Sequence, residues 1–76
     1  MLTTVLTFVL QMEDVLYHKF MQHPTLLDLL FSTGIAELIY NDKHDDFWGV
    51  GPRGNGGNEL GKALVRLRER LRANAR

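Results

Sequence analysis

The sequence predicts a mostly α-helical chain with at most one short strand. Three observations carry that reading. Apolar residues recur at steps of three and four in separate runs, the pattern of helices that bury one face. Helix-breaking residues punctuate the chain at His23-Pro24 and at Ser32-Thr33-Gly34. Glycine at positions 49, 51, 54, 56 and 57 makes the stretch between the second and last helices too flexible for a helix or a packed strand.

The first helix is expected from about residue 3 to about residue 22, with Leu2, Val5, Leu6, Val9, Met12, Leu16 and Phe20 on one face. The β-branched residues within 3–9 leave a strand as an alternative for that part. Pro24 disfavours helical geometry at His23 and ends the helix there. Thr25 can cap a second, short helix carrying Leu26, Leu27, Leu29, Leu30 and Phe31, and Gly34 suits its left-handed C-terminal position. Residues 36–40, AELIY, read as an isolated strand or extended segment, and residues 41–58 as a loop. From Asn58, a candidate N-cap, a last helix runs to about Arg72 with Leu60, Leu64, Leu67 and Leu71 on one face.

Composition bounds what such a chain can be. Its 76 residues make one small domain or a piece of a larger one. A chain this short buries only about 60% of the surface it exposes when unfolded. With no cysteine, disulfide frameworks and thiolate metal sites are excluded. The apolar content of 45% belongs to a folding chain, and zero net charge supplies no global pull toward nucleic acid or anionic membrane. The apolar opening has neither the basic flank nor the cleavage site of a secretory signal, and it is far short of the roughly 20 residues that span a bilayer. Cytoplasm, with no membrane association, is the expected location.

Charge is unevenly placed despite the balance. In residues 37–46, Glu37, Asp42, Asp45 and Asp46 stand against Lys43, a local −3. In residues 62–76, Lys62, Arg66, Arg68, Arg70, Arg72 and Arg76 stand against Glu69, a local +5. A solvated helix face explains the basic run. A surface for nucleic acid or a protein partner is the other reading, and it makes the chain a small helical interaction module.

Two glycine patterns invite a nucleotide reading and fail on context. Gly49-Val50-Gly51-Pro52-Arg53-Gly54 has no strand before it and no helix directly after it, and Pro52 removes an amide. Gly56 to Lys62 resembles a phosphate loop, but Ala63 stands where Ser or Thr should bind magnesium. The weaker expectation that survives is a phosphate or ribose resting on the amides near residues 56–59. His18 and His23 are five apart, not the four that places two metal ligands on one helix face. No metal site is expected. The segment Asp45-Asp46-Phe47-Trp48-Gly49 joins carboxylates to aromatic surface. A shielded carboxylate suits acid–base work and an indole offers a stacking face. The competing reading is structural, with Asp45 or Asp46 capping a turn and Trp48 filling a small core.

The runs KFMQHPTLLDLLFSTG, AELIYNDKHDDFWGVG and GNELGKALVRLRERLR, in this order, resemble the C-terminal half of the NADAR domain, the YbiA-like N-glycosidase family. The resemblance covers about residues 11–72, and it divides the chain into an atypical apolar segment, 1–10, and the half-domain, 11–76. It implies an α+β family fold of which this part is mostly helical. It also implies hydrolysis of a ribosyl–base N-glycosidic bond, in a phosphoribosyl intermediate of riboflavin synthesis or in an ADP-ribosylated base, without a cofactor.

Matched position by position, the family's D-x-x-W-G falls on Asp45, Trp48 and Gly49, its N-x-L-G on Asn58, Leu60 and Gly61, and its K-F-x-Q on Lys19, Phe20 and Gln22. The resemblance thus implies Asp45 as the catalytic carboxylate and Trp48, Gly49, Asn58 and Gly61 as substrate-binding positions. Tyr40 stands where the family carries Glu, and Val65 where it carries Met. The family's E-H-x-x-Q segment, which resembles the other side of the cleft, has no counterpart here. The implied partners are therefore a ribosyl or ADP-ribosyl substrate and either a complementary N-terminal half or a second copy.

Overall fold

A computed structural model of the chain describes residues 2–74, and side chains from residue 6 onward. It contains three helices in chain order: α1 (Leu2–Gln22), α2 (Pro24–Ser32) and α3 (Glu59–Asn74). Among the described residues there is no strand. Residues 3–9 are helical, so the strand alternative for them is not taken.

On α1, Val9 is buried and Met12, Leu16, Tyr17 and Phe20 are partly buried, as the three-and-four spacing requires. Leu6 departs from that stripe and is 59% exposed, while the side chains of Leu2 and Val5 lie outside the described ones. The helix boundary at His23-Pro24 falls where expected, but the cap does not. Pro24 takes the first helical position, where a missing N–H is harmless, so His23 and not Thr25 is the N-cap. No side chain caps this end. At the other end Gly34 adopts φ 63°, the left-handed turn that releases the chain from α2.

The core forms where the three helices meet. Leu30 of α2 packs with Leu67 and Leu71 of α3, and Leu16, Tyr17, Phe20, Leu27, Phe31, Leu38 and Leu64 close around them. This core is small, and its smallness shows in the shape. The radius of gyration is 12.9 Å, against about 11.4 Å for a compact chain of this length. Large apolar side chains remain outside it: Leu29 is 64% exposed, Ile35 91% and Ile39 59%. No helix among the described residues is long and apolar enough to cross a membrane.

Candidate functional site

The five positions singled out by motif converge on one region, where residues 38–40, the glycine-rich loop and the start of α3 meet. Asp45 organises the first turn. Its Oδ1 accepts hydrogen bonds from the Phe47 N–H at 3.0 Å and the Trp48 N–H at 2.8 Å. The capping role is therefore realised, and it fixes the orientation of the carboxylate. No hydrogen bond to Asp45 Oδ2 occurs among the described residues. Phe47 and Trp48 meet edge to face, with centroids 4.8 Å apart and planes at 90°, and both are partly buried.

The loop then folds back on α3. Carbonyls of Val50, Asp46, Gly49, Phe47 and Trp48 accept, in that order, the N–H groups of Gly56, Gly57, Asn58, Glu59 and Leu60 at 2.7–3.0 Å. The expectation that a phosphate rests on the amides of 56–59 is corrected by this geometry, because each of those donors already has a carbonyl partner. The loop itself supplies the partners that a helix N-terminus needs.

Asn58 joins this loop to the segment before it. It has φ 51°, and its carbonyl accepts the Lys62 N–H at 3.0 Å to begin α3. Its side chain does not cap the helix. The Nδ2 group donates to the Leu38 carbonyl at 2.9 Å, and Oδ1 accepts the Tyr40 N–H at 2.8 Å. Gly61 lies beneath this clamp, one turn into α3. A Cβ there would lie 2.5 Å from both Asn58 Nδ2 and Oδ1 and would also collide with the Leu38 carbonyl. Gly49 has a similar role on the loop side: a Cβ would come within 2.7 Å of the Tyr40 carbonyl oxygen and 2.9 Å of that of Asp45. Trp48, Gly49, Asn58 and Gly61 are thus brought together largely by backbone architecture.

Tyr40 and Asp42 form a polar pair on the outer edge of this region. The Tyr40 hydroxyl donates to Asp42 Oδ2 at 3.0 Å, while Asp42 Oδ1 accepts the His44 N–H at 2.8 Å. The His44 amide first and the Tyr40 hydroxyl second hold the Asp42 carboxyl below its ordinary value. The hydrogen bond to Asp42 and its negative charge raise Tyr40 above its own. The Tyr40 hydroxyl, at the position where the family resemblance places Glu, is thus a donor that favours the ionised form of Asp42.

Arg68 is the residue that sequence reasoning missed. The basic run of α3 reads in sequence as a solvated face, yet Arg68 is only 2% exposed. Its Nη1 donates to Thr33 Oγ1 at 2.8 Å and to the Ala36 carbonyl at 2.9 Å. Arg72 adds a bond to the Gly34 carbonyl at 2.7 Å. Other members of the run also have partners: Arg66 pairs with Glu13, Arg70 lies over the Tyr17 ring at 4.7 Å, and Lys62 pairs with Glu59. The available signal for Arg68 was register, since positions 61, 64, 68 and 71 share one helix face.

A groove of about 430 Å³ is lined by Ile35, Leu38, Asn58, Lys62, Val65 and Arg68, among others; neither Asp45 nor Trp48 lines it. Among the described residues no group of three or more His, Asp or Glu side chains could hold a metal ion.

Comparison with known proteins gives this arrangement a context. N-glycosidase YbiA of Escherichia coli is 43% identical over 60 residues, 79% of this chain and 38% of that protein. N-glycosidase Npun_R5314 of Nostoc punctiforme is 38% identical over 61 residues, 80% of this chain and 39% of that protein. The riboflavin biosynthesis protein VVA0006 of Vibrio vulnificus is 41% identical over 64 residues, 84% of this chain and 17% of that protein. The chain therefore spans well under half the length of these relatives. No solved structure matches it. The sequence profile of the NADAR domain matches residues 9–72, most of the chain, and the chain belongs to that family.

Proposed function

We propose that the chain carries one wall of an N-glycosidase active site that hydrolyses a ribosyl–base bond, in a riboflavin-pathway phosphoribosyl intermediate or an ADP-ribosylated base. The observation that carries this reading is the Asp45 carboxylate. One of its oxygens is anchored by two backbone amides, and the other has no hydrogen bond within the described residues. The names of the relatives, two N-glycosidases and a riboflavin biosynthesis protein, support the same chemistry.

Cleavage of an N-glycosidic bond passes through positive charge at the anomeric carbon as the base leaves with the bonding electrons. A fixed carboxylate stabilises that charge and orients the attacking water. Asp45 fills this role because its position is set before substrate arrives, so no reorganisation is needed during reaction. Trp48 walls the site, and Asn58, Gly49 and Gly61 hold the chain segments around it. Since relatives carry more than twice this length, the reaction requires a second wall from the remainder of such a domain.

The test is base release from an ADP-ribosylated guanine nucleoside and from the riboflavin-pathway phosphoribosyl intermediate. Each is assayed with the chain alone and with the part of E. coli YbiA outside the matched 60 residues. Release in the combined sample, lost with Asp45→Asn, is expected. Release that survives Asp45→Asn overturns the assignment of Asp45, and absence of release in every sample overturns the reading.

A further inference from the structure

The buried guanidinium of Arg68 is only partly used by the fold. Its Nη1 serves Thr33 and the Ala36 carbonyl, and its Nε lies 3.3 Å from Glu69 Oε1. Nη2 makes no hydrogen bond among the described residues. A charged donor sealed away from both partner and solvent is strongly unfavourable. Among the described residues no side-chain nitrogen or oxygen is in that position. Nη2 is therefore open to the space that Arg68 borders, which is the groove of about 430 Å³.

This groove has the make-up of a small-ligand site. Its volume falls within the roughly 300–1,000 Å³ of such sites, and Ile35, Ala36, Leu38 and Val65 give it apolar walls around few polar groups. Three cations line it, Lys62, Arg66 and Arg68, against the single carboxylate of Glu37, an excess of two positive charges. The acids that pair with these cations, Glu59, Glu13 and Glu69, are not among the lining residues. Lys62 and Arg66 are about half exposed, so water screens their pairs and leaves both cations weakly held. Arg66 engages Glu13 through Nε alone, and its Nη1 and Nη2 have no partner among the described residues. The groove is also continuous with the motif region, since Leu38 and Asn58 line it and are partners in the clamp.

We propose that the groove is an anion subsite that takes the phosphate of a ribose 5-phosphate unit, with Arg68 Nη2 as its fixed donor and Lys62 and Arg66 at its rim. A guanidinium matches the geometry of phosphate oxygens, and Arg68 is held in place before any ligand arrives. Apolar walls exclude water from around it and so strengthen its attraction for an anion. The ligand class rests on the proposed reaction, because phosphoribosyl and ADP-ribosyl groups both carry phosphate on the ribose 5′ oxygen. The site itself rests on Arg68 and does not involve Asp45.

The test titrates the chain with ribose 5-phosphate, ADP-ribose, inorganic phosphate and ribose. Nitrogen-15 NMR follows the Arg68 guanidinium and the Leu38 and Val65 amides. Saturable shifts at these groups are expected with ribose 5-phosphate, and ribose should bind about tenfold or more weakly. Tighter binding of ADP-ribose than of ribose 5-phosphate supports the ADP-ribosyl source, and the reverse order supports the phosphoribosyl one. Lys62→Gln combined with Arg66→Gln should weaken ribose 5-phosphate about fivefold or more, and Glu37→Gln should tighten it. Circular dichroism, unchanged in the double variant, separates lost binding from lost folding. Absence of saturable shifts, shifts confined to residues outside the groove, equal binding of ribose, or undiminished binding by the double variant overturns the proposal. Base release by the completed site without binding at the groove removes this proposal alone. Binding at the groove without base release removes the enzymatic reading alone.

Discussion

The side chain of Asn58 reaches the Leu38 carbonyl at 2.9 Å across twenty residues of sequence, and Gly61 is the gap through which the two come together. This relationship ties the start of α3 to the segment that follows α2. It also explains the N-x-L-G spacing physically: the asparagine clamps an incoming backbone, and the glycine one turn later leaves room for it.

Replacing Asn58 with Ala should destabilise the fold by about 1–3 kcal/mol, since the Leu38 carbonyl and Tyr40 N–H lose their partner. Asn58→Asp keeps the acceptor for Tyr40 but loses the donor to Leu38, and it should fall in between. Urea denaturation followed by circular dichroism measures both.

Gly61→Ala should also destabilise, although alanine in an ordinary helix interior stabilises by about 0.5–1 kcal/mol relative to glycine. The sign reverses because the added methyl meets Asn58 and Leu38. A thermal midpoint above that of the parent chain would show that residues 38–40 yield without cost.

Arg68→Met removes the buried guanidinium while keeping much of its apolar bulk. The Thr33 hydroxyl and Ala36 carbonyl lose a charged donor, and hydrogen bonds to charged groups contribute about 1.5–3 kcal/mol each. Loss of several kcal/mol is a large part of the stability available to so small a core. Arg70→Met, at an exposed position over Tyr17, should cost under about 1 kcal/mol by the same denaturation assay.

Asp45→Asn and Asp45→Ala should separate geometry from charge. The amide oxygen of Asn can still accept the Phe47 and Trp48 N–H groups, so Trp48 fluorescence should resemble that of the parent chain. Ala removes the acceptor and should shift the emission. Base release by the completed site should be lost in both, since both remove the negative charge.

Acid should loosen the turn at residues 42–44. The Asp42 pKa is depressed in the folded chain, so its contribution to stability is present above the ordinary value of 3.8 and is lost as pH falls through the lower folded value. Tyr40 is raised, so its contribution is present below 10.0 and is lost as pH rises through the higher folded value. Carbon-13 NMR of the Asp42 carboxyl should titrate below 3.8, and Tyr40→Phe should move that midpoint upward. An unchanged midpoint in Tyr40→Phe would remove the hydroxyl from the account.

Helix positions and the family were legible from residue order. The spacing of Val9, Leu16 and Phe20, the Pro24 boundary and the leucines of α3 each encode a local preference, and local preferences survive without knowledge of partners. The same order placed Asp45, Trp48, Gly49, Asn58 and Gly61 in motifs. What those residues touch was not legible, because their contacts span up to twenty residues. Asn58 had the residue type of a helix cap, and only its tertiary setting turned the side chain toward Leu38 and Tyr40.

By itself, then, the sequence determined three helices, the breaks between them and membership in the NADAR family, since periodicity, proline, glycine and motif order are properties of nearby residues. Tertiary structure alone decided that the amides of 56–60 bind their own loop, that Arg68 is buried, and that Arg68 and Asn58 hold residues 36–40 against α3. Those outcomes depend on which distant donor reaches which acceptor when the helices pack. A hydrogen bond between residues far apart in sequence forms only where folding has already brought them together.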